Sequence, residues 1–161
     1  MKLGRPLLLA SALGMTACVG DPSQPDEFEP NSVAAPSALG NFSDSGTHQT
    51  FDLTLHDGVD EDAFTLTISD GGIDGNPEVS IFANGDGTSE LALTVDFDCS
   101  DDSGGHTSTE EGPDAGIAFT TSCPGGGFLS DDDSGSATIT VRRKPGASTA
   151  PMFYELTIDV D

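Results

Sequence analysis

Apolar residues recur at every second position in seven short segments, and this alternation constrains the fold more than any other feature. Such alternation is typical of strands with one buried face, because successive side chains of a strand point to opposite faces of the sheet. The strongest run comprises Leu91, Leu93, Val95, Phe97 and Cys99. The segments with this pattern are residues 51–55, 64–68, 79–81, 91–99, 117–123, 137–141 and 152–160.

Clusters of Gly, Asp, Asn, Pro and Ser separate these segments, and such residues form turns through their backbone preferences. The sequence indicates no helix beyond a single turn near residues 32–35. Seven to eight short strands with turn-rich connections predict an all-β fold, an antiparallel, jelly-roll-like β-sandwich. We predict that this β-sandwich domain spans residues 27–161.

Residues 1–17 have the three-part organisation of an export signal. Lys2 and Arg5 form a positively charged start, and residues 6–13 form an apolar core. That core is too short to cross a bilayer, because a spanning helix needs about 20 apolar residues. We therefore predict a cleaved signal peptide over residues 1–17.

The stretch from Met15 to Cys18 resembles the lipobox of bacterial lipoproteins, with Met15 in place of the usual Leu. The resemblance implies that Cys18 is lipidated and becomes the mature N-terminus, followed by a flexible tether over residues 18–26. Two or more acyl chains suffice for stable anchoring. Because Val19 and not Asp follows the cysteine, the expected location is the outer membrane, at its periplasmic face or the cell surface. The alternative is ordinary cleavage after Ala17, which would leave a free thiol.

The chain contains 28 acidic and only five basic residues, and this imbalance limits its partners. Removal of the signal peptide would leave the 28 acidic residues with three basic ones, Arg142, Arg143 and Lys144. Such a field repels nucleic-acid phosphates and anionic lipid head groups and attracts cations. The charge therefore excludes nucleic-acid binding, and solubility in salty surroundings is its simplest explanation.

Two cysteines, Cys99 and Cys123, lie at strand ends on the same parity as the apolar residues of their strands. Both thiols are therefore expected to face the interior, where a bridge between the strands is sterically reasonable. Export would place them in an oxidising compartment. We predict a disulfide that also restrains the polar loop predicted for residues 100–116; two buried free thiols are the alternative.

Three short motifs resemble the pre-peptidase C-terminal domains of bacteria. They are Glu29-Pro30-Asn31 near the start, Asp60-Glu61-Asp62-Ala63-Phe64, and the closing Tyr154-Glu155-Leu156-Thr157-Ile158. Ser32 departs from the family pattern, where Asp is usual, and residues 70–136 do not follow it. The resemblance implies a sandwich that serves as an accessory module of secreted enzymes or stands alone in a lipoprotein.

One branch of that family, the collagen-binding domains of clostridial collagenases, binds calcium through a Glu-x-Glu-x-Asn-Asp segment and a later acidic loop. The resemblance therefore implies a calcium site formed by Glu27, Glu29, Asn31, Asp60 and Asp62. Calcium takes six to eight oxygen ligands, so the two segments must meet in space. The alternative is that the first segment satisfies backbone donors at a turn while the aspartates stay solvated.

The sequence shows no nucleophile elbow, no metal-binding HExxH helix and no phosphate-binding glycine loop. His48 and His56 flank the first strand, and His106 lies in the predicted acidic loop. We therefore predict a non-catalytic binding or accessory module of the cell envelope, with an unknown protein or polysaccharide ligand. Phe82 and Phe153 are candidate surface anchors. The alternatives are a calcium-stabilised structural envelope protein without a discrete ligand and, less favoured, a small secreted hydrolase.

Overall fold

The computed structural model of the protein describes residues 20–71, 75–100, 104–123 and 133–161. The predicted lipidation site, Cys18, lies outside the described residues. Nine strands occur in the described ranges: β1 (Ser37–Ser43), β2 (Thr47–Leu55), β3 (Glu61–Ser69), β4 (Glu78–Gly85), β5 (Leu91–Cys99), β6 (Gly105–Gly112), β7 (Asp114–Thr120), β8 (Gly135–Arg143) and β9 (Met152–Val160).

The strands form two sheets, one of five strands in the order β1-β3-β8-β5-β6 and one of four in the order β2-β9-β4-β7. Neighbouring strands are antiparallel except for β1 and β3, which run parallel. This arrangement confirms the predicted all-β sandwich. In the described ranges, no helix has the length and apolar character needed to cross a bilayer.

The core is formed by the side chains of both sheets that face inward, which occupy alternate positions along each strand. Phe42, Phe64 and Phe97 of the five-stranded sheet and Leu53 and Leu156 of the four-stranded sheet are among the largest fully buried side chains. Each buried side chain of this size stabilises the fold by roughly 1.5–3 kcal/mol relative to an exposed one. The alternation in the sequence therefore identified the buried face of the strands correctly.

Two strands were missed, and both break the period-two pattern. β1 has a register shift between Ala38 and Gly40, so its apolar Leu39 and Phe42 do not share one parity. β6 is a polar edge strand in the segment predicted as a loop over residues 100–116, and none of its residues is fully buried. The predicted helical turn at residues 32–35 is also wrong, because Ser32 and Ala35 form an isolated β-bridge.

The segment that precedes β1 is attached to the sandwich, and its contacts begin within the predicted tether. The backbone N–H of Thr54 donates to Asp26 Oδ2 at 3.0 Å, and the Thr54 hydroxyl donates to the carbonyl of Gln24 at 3.1 Å. The ring of Phe28 packs edge-on against Phe51 and Phe64, with ring centroids 5.7 Å apart in both pairs. These contacts place the following residues of the segment beside the loop between β2 and β3.

Cys99, at the end of β5, is bonded to Cys123, which follows β7, and their Cα atoms are 5.7 Å apart. The bond links the two sheets, since β5 and β7 belong to different ones. The two cysteines are 24 positions apart in the sequence. A loop of that size corresponds to a stabilisation of about 3 kcal/mol in the chain-entropy account.

Candidate metal centre

The loop between β2 and β3, residues 56–60, carries one half of the candidate site. Within it, the backbone N–H of Val59 donates to Asp57 Oδ1 at 2.8 Å, and the backbone N–H of His56 donates to Asp60 Oδ2 at 2.6 Å. Short side chains that accept from nearby backbone donors favour tight turns of this kind. The loop therefore brings the side chains of His56 and Asp60 onto the same side.

Arg143, the last residue of β8, stabilises this loop through hydrogen bonds to backbone carbonyls. Its guanidinium donates to the carbonyls of Asp57, Leu55 and Ala150, the latter two at 2.7 and 2.8 Å. The planar fork of an arginine can satisfy several carbonyls at once, whereas a single ammonium group cannot do so in this geometry. Arg143 thus links the β2–β3 loop to the connection between β8 and β9.

The second half of the site comes from the docked N-terminal segment. Glu29 Oε1 lies 3.4 Å from His56 Nδ1, and Asp60 Oδ2 lies 2.7 Å from the same nitrogen. These three donor atoms lie within 4.8 Å of one another. Although these contacts are short, His56 Nδ1 and Glu29 Oε1 are buried atoms without a hydrogen bond to any described residue. A short contact in the wrong direction does not satisfy a buried lone pair.

Two further polar side chains at this junction have unsatisfied buried atoms. Asn31 is only 5% exposed, and neither its side-chain oxygen nor its nitrogen has a hydrogen-bond partner among the described residues. Asp62 is fully buried, and its Oδ1 also has none. Buried polar atoms are nearly always satisfied in folded proteins, so their concentration at one place makes this junction a candidate binding site.

Asp62 has a strongly shifted acidity. The hydroxyl of Tyr154 donates to its Oδ2. Burial raises the pKa of Asp62 to about 8, the hydrogen bond from Tyr154 opposes this shift, and the charges of Asp60, Asp26 and Glu29 add to it. Burial and the nearby Asp62 likewise raise the pKa of Tyr154 well above its usual value. Asp62 is therefore neutral at physiological pH unless a cation compensates its charge.

The structure brings two of the five predicted ligands together in the cluster, and it adds one residue that was not predicted. Glu29 and Asp60 converge, and Asn31 and Asp62 have buried unsatisfied atoms in the same two segments. Glu27 has an exposed side chain. His56 was missed by sequence reasoning, which considered it only as a strand-end residue. Its spacing of four residues from Asp60 was the available signal.

The donor set does not fit the calcium ion that the family resemblance implies. Calcium is bound by oxygen atoms alone in its usual protein sites. Here one of the three donor atoms that lie within 4.8 Å of one another is the imidazole nitrogen of His56. An ion at this position would therefore meet one nitrogen and two carboxylate oxygens, a combination that borderline metals such as zinc prefer.

The other two histidines lie away from this cluster. His48 on β2 is exposed, and its Nδ1 lies 3.7 Å from Asp159. His106 is part of β6 and not of a loop, and its ring packs edge-on against Phe119 with centroids 4.4 Å apart. Asp57, the neighbour of His56 in the sequence, accepts a hydrogen bond from the backbone N–H of Val59 through its Oδ1.

The candidate surface anchors differ in exposure. Phe82 on β4 is 42% exposed, and its ring lies over Gly116 of β7, where an added Cβ would approach ring atoms to 2.5 Å. Phe153 on β9 is half-buried. Phe82 is thus the one of the two that presents a substantial apolar surface.

No family model matches the sequence, and no curated protein matches it. Among solved structures, the chain is similar to the pre-peptidase C-terminal domain of collagenase from Bacillus anthracis, known from a crystal structure at 1.0 Å. The match covers 76% of this chain and 95% of that chain, with 14% sequence identity and a TM-score of 0.41. The fold assignment therefore rests on the strands, register and core of this protein itself.

Proposed function

We propose that this protein is a non-catalytic binding or accessory module of the cell envelope, anchored by lipid on Cys18, with a divalent cation that fastens its N-terminal segment to the sandwich. The observation that carries the proposal is the junction of Glu29 and Asn31 with His56, Asp60 and Asp62. Unsatisfied buried atoms are concentrated there, at the point where the segment leading from the anchor meets the fold.

The short distance along the chain from the anchor to the fold supports a role at the membrane surface. Within the described residues, Gln24 is the first with a hydrogen bond to β2. Six residue steps separate it from Cys18, which corresponds to a reach of at most about 20–22 Å in a fully extended chain. A lipidated Cys18 would hold the sandwich close to the membrane, where it can contact envelope components.

The first test concerns the anchor. We expect the full chain, expressed with its own signal in a bacterium, to fractionate with membranes, and Cys18→Ser to move to the soluble fraction. Mass spectrometry of the mature N-terminal peptide should show an acylated Cys18. Ser23→Ala, a change in the tether outside the lipobox, serves as the control and should stay with the membrane. Cleavage after Ala17 with an unmodified thiol would reject the anchor.

The second test concerns the junction. Full-length protein in mild detergent, stripped with a chelator, should gain stability when divalent cations are added. At a free concentration 100 times the dissociation constant, binding to the folded state alone contributes about 2.7 kcal/mol. We expect Glu29→Gln to abolish most of this gain in thermal unfolding, because it removes a charged ligand. Glu27→Gln, an equivalent change at an exposed position of the same segment, should preserve it.

Magnesium at matched ionic strength controls for screening of the large negative charge. A gain that is equal for all divalent cations and insensitive to Glu29→Gln would show that the ions only screen surface charge. In that case the cation-held junction would be wrong.

A second candidate function is that of a structural envelope protein without a discrete ligand. The small number of exposed aromatic side chains in the described ranges favours it. Large apolar side chains that are exposed in the described ranges are Val33, Val59 and Phe82. Only one of them is aromatic, whereas carbohydrate sites commonly use aromatic rings as stacking platforms. The composition of the surface therefore supports presentation or protein contacts more than polysaccharide binding.

A further inference from the structure

We propose that Glu29, His56 and Asp60 form a binding site for a divalent transition-metal cation of the zinc class, and not for calcium. This inference rests on the proposed function, since it names the cation at the same junction. It differs from what the family resemblance implies in its central ligand, the imidazole of His56.

The chemistry of the three donors selects the class of metal. Imidazole nitrogen suits zinc and its neighbours in the first transition series, whereas calcium and magnesium prefer oxygen ligands. Zinc sites with three protein ligands leave one position open to water, and one imidazole and two carboxylates supply three ligands of types that zinc binds. Two carboxylates also neutralise the two charges of the metal, so that the partly buried site would carry no net charge.

The distances agree with a shared ion. Bonds of 2.0–2.2 Å to a tetrahedral zinc ion place neighbouring ligand atoms roughly 3.3–3.5 Å apart. Glu29 Oε1 and His56 Nδ1 are 3.4 Å apart, and Asp60 Oδ2 is 2.7 Å from that nitrogen. The second distance must increase by about 0.6 Å in this geometry. The ligand atoms of the remaining pair, Glu29 and Asp60, lie within 4.8 Å of each other.

Burial provides an observation that is independent of the acidic cluster. The side chain of Asp60 is 8% exposed and that of Glu29 is 12% exposed. Asp62, fully buried and two residues from Asp60, has an Oδ1 without a hydrogen-bond partner among the described residues, and the charges of Asp60, Asp26 and Glu29 act on it. Solvated surface carboxylates do not need such an arrangement, and a bound cation explains it.

The competing explanation is that His56 Nδ1 donates a hydrogen bond directly to one of the two carboxylates. Neither short contact of Nδ1 has hydrogen-bond geometry. A lone pair on Nδ1 that faces a metal ion shared with Glu29 and Asp60 requires no N–H at that position. The geometry therefore favours metal coordination over a direct hydrogen bond.

The test is calorimetric titration of the chelator-stripped, full-length protein in mild detergent with zinc chloride and, separately, with calcium chloride. We expect zinc to bind at one site per chain and calcium at millimolar concentration to compete poorly. His56→Gln should weaken zinc binding at least tenfold, as should Glu29→Gln. His48→Gln is the matched control, because it makes the same change at an exposed histidine that also lies near a carboxylate. Circular dichroism of each variant verifies that the strands are retained.

The visible spectrum of bound cobalt(II) provides a second readout. A four-coordinate site with a histidine ligand gives intense absorption that His56→Gln should remove even if some binding remains. Saturable calcium binding that is unaffected by His56→Gln would overturn the zinc assignment and leave the cation-held junction intact. Absence of any one-site cation binding would overturn both the zinc assignment and the cation-held junction. Zinc binding that is equal in the wild type and in His56→Gln would also overturn the assignment.

Discussion

Replacement of Arg143 by Met is expected to lower the free energy of unfolding by about 3–5 kcal/mol, because three backbone carbonyls lose a charged hydrogen-bond donor. Arg143 is buried, and its guanidinium donates to the carbonyls of Leu55, Asp57 and Ala150. Without it, carbonyls of two loops lose their donor, and each unsatisfied buried group costs about 1–3 kcal/mol. Urea unfolding of full-length protein in the presence of a chelator measures the change.

Arg142→Met is the matched control. Arg142 precedes Arg143 directly, but its side chain is half exposed and its Nη1 lies 3.8 Å from Glu61. An exposed pair of this kind contributes about 0–1 kcal/mol. If the two substitutions lowered the free energy of unfolding equally, the hydrogen bonds of Arg143 would not stabilise the loops. We further expect Arg143→Lys to recover only part of the loss, because an ammonium group cannot reach all of these carbonyls together.

Asp62→Asn is expected to stabilise the metal-free protein at alkaline pH and to leave it nearly unchanged at acidic pH. Burial raises the pKa of Asp62 in the folded state to about 8, from 3.8 in the unfolded chain. The contribution of this group to stability is therefore fully present below pH 3.8 and is lost as the pH rises through about 8. The slope between these values is up to about 1.4 kcal/mol per pH unit.

An asparagine at position 62 still accepts the hydrogen bond from Tyr154 but does not ionise. At pH 8 the variant should exceed the wild type in free energy of unfolding by something on the order of 3–5 kcal/mol. Urea unfolding with a chelator at several pH values between 5 and 9 measures the difference. Asp52→Asn, at an exposed position of β2, is the control and should show no such trend. A difference between Asp62→Asn and the wild type that is the same at every pH would contradict the raised pKa.

The strands with one buried face were predictable because their alternation is local. Leu93 and Val95 of β5 share a parity with Phe97, and all three are buried. β6 could not be found in this way. As an edge strand it is polar on both faces. It is held by backbone pairing with β5, and backbone pairing does not produce an alternation of apolar side chains in the sequence.

Part of the candidate site was accessible through the resemblance of short motifs. Glu29 and Asp60 were named as ligands in advance, and they meet at the junction. Glu27 was named with them but has an exposed side chain, since a motif matches residue types and does not specify which side chains turn inward. The participation of His56 required the docked segment, which is held by Phe28 and by the bonds of Asp26.

The sequence by itself determined the all-β class, the buried parity of most strands and the strongly acidic character of the surface. These properties follow from local alternation and from the numbers of charged residues, and they do not depend on the path of the chain. Only the tertiary structure decided which strands are neighbours and which side chains face Glu29. The reason is that contacts between distant positions depend on register and on the docking of a segment, and no local pattern encodes either. The imidazole of His56 thus became a candidate ligand only when the fold placed two segments together.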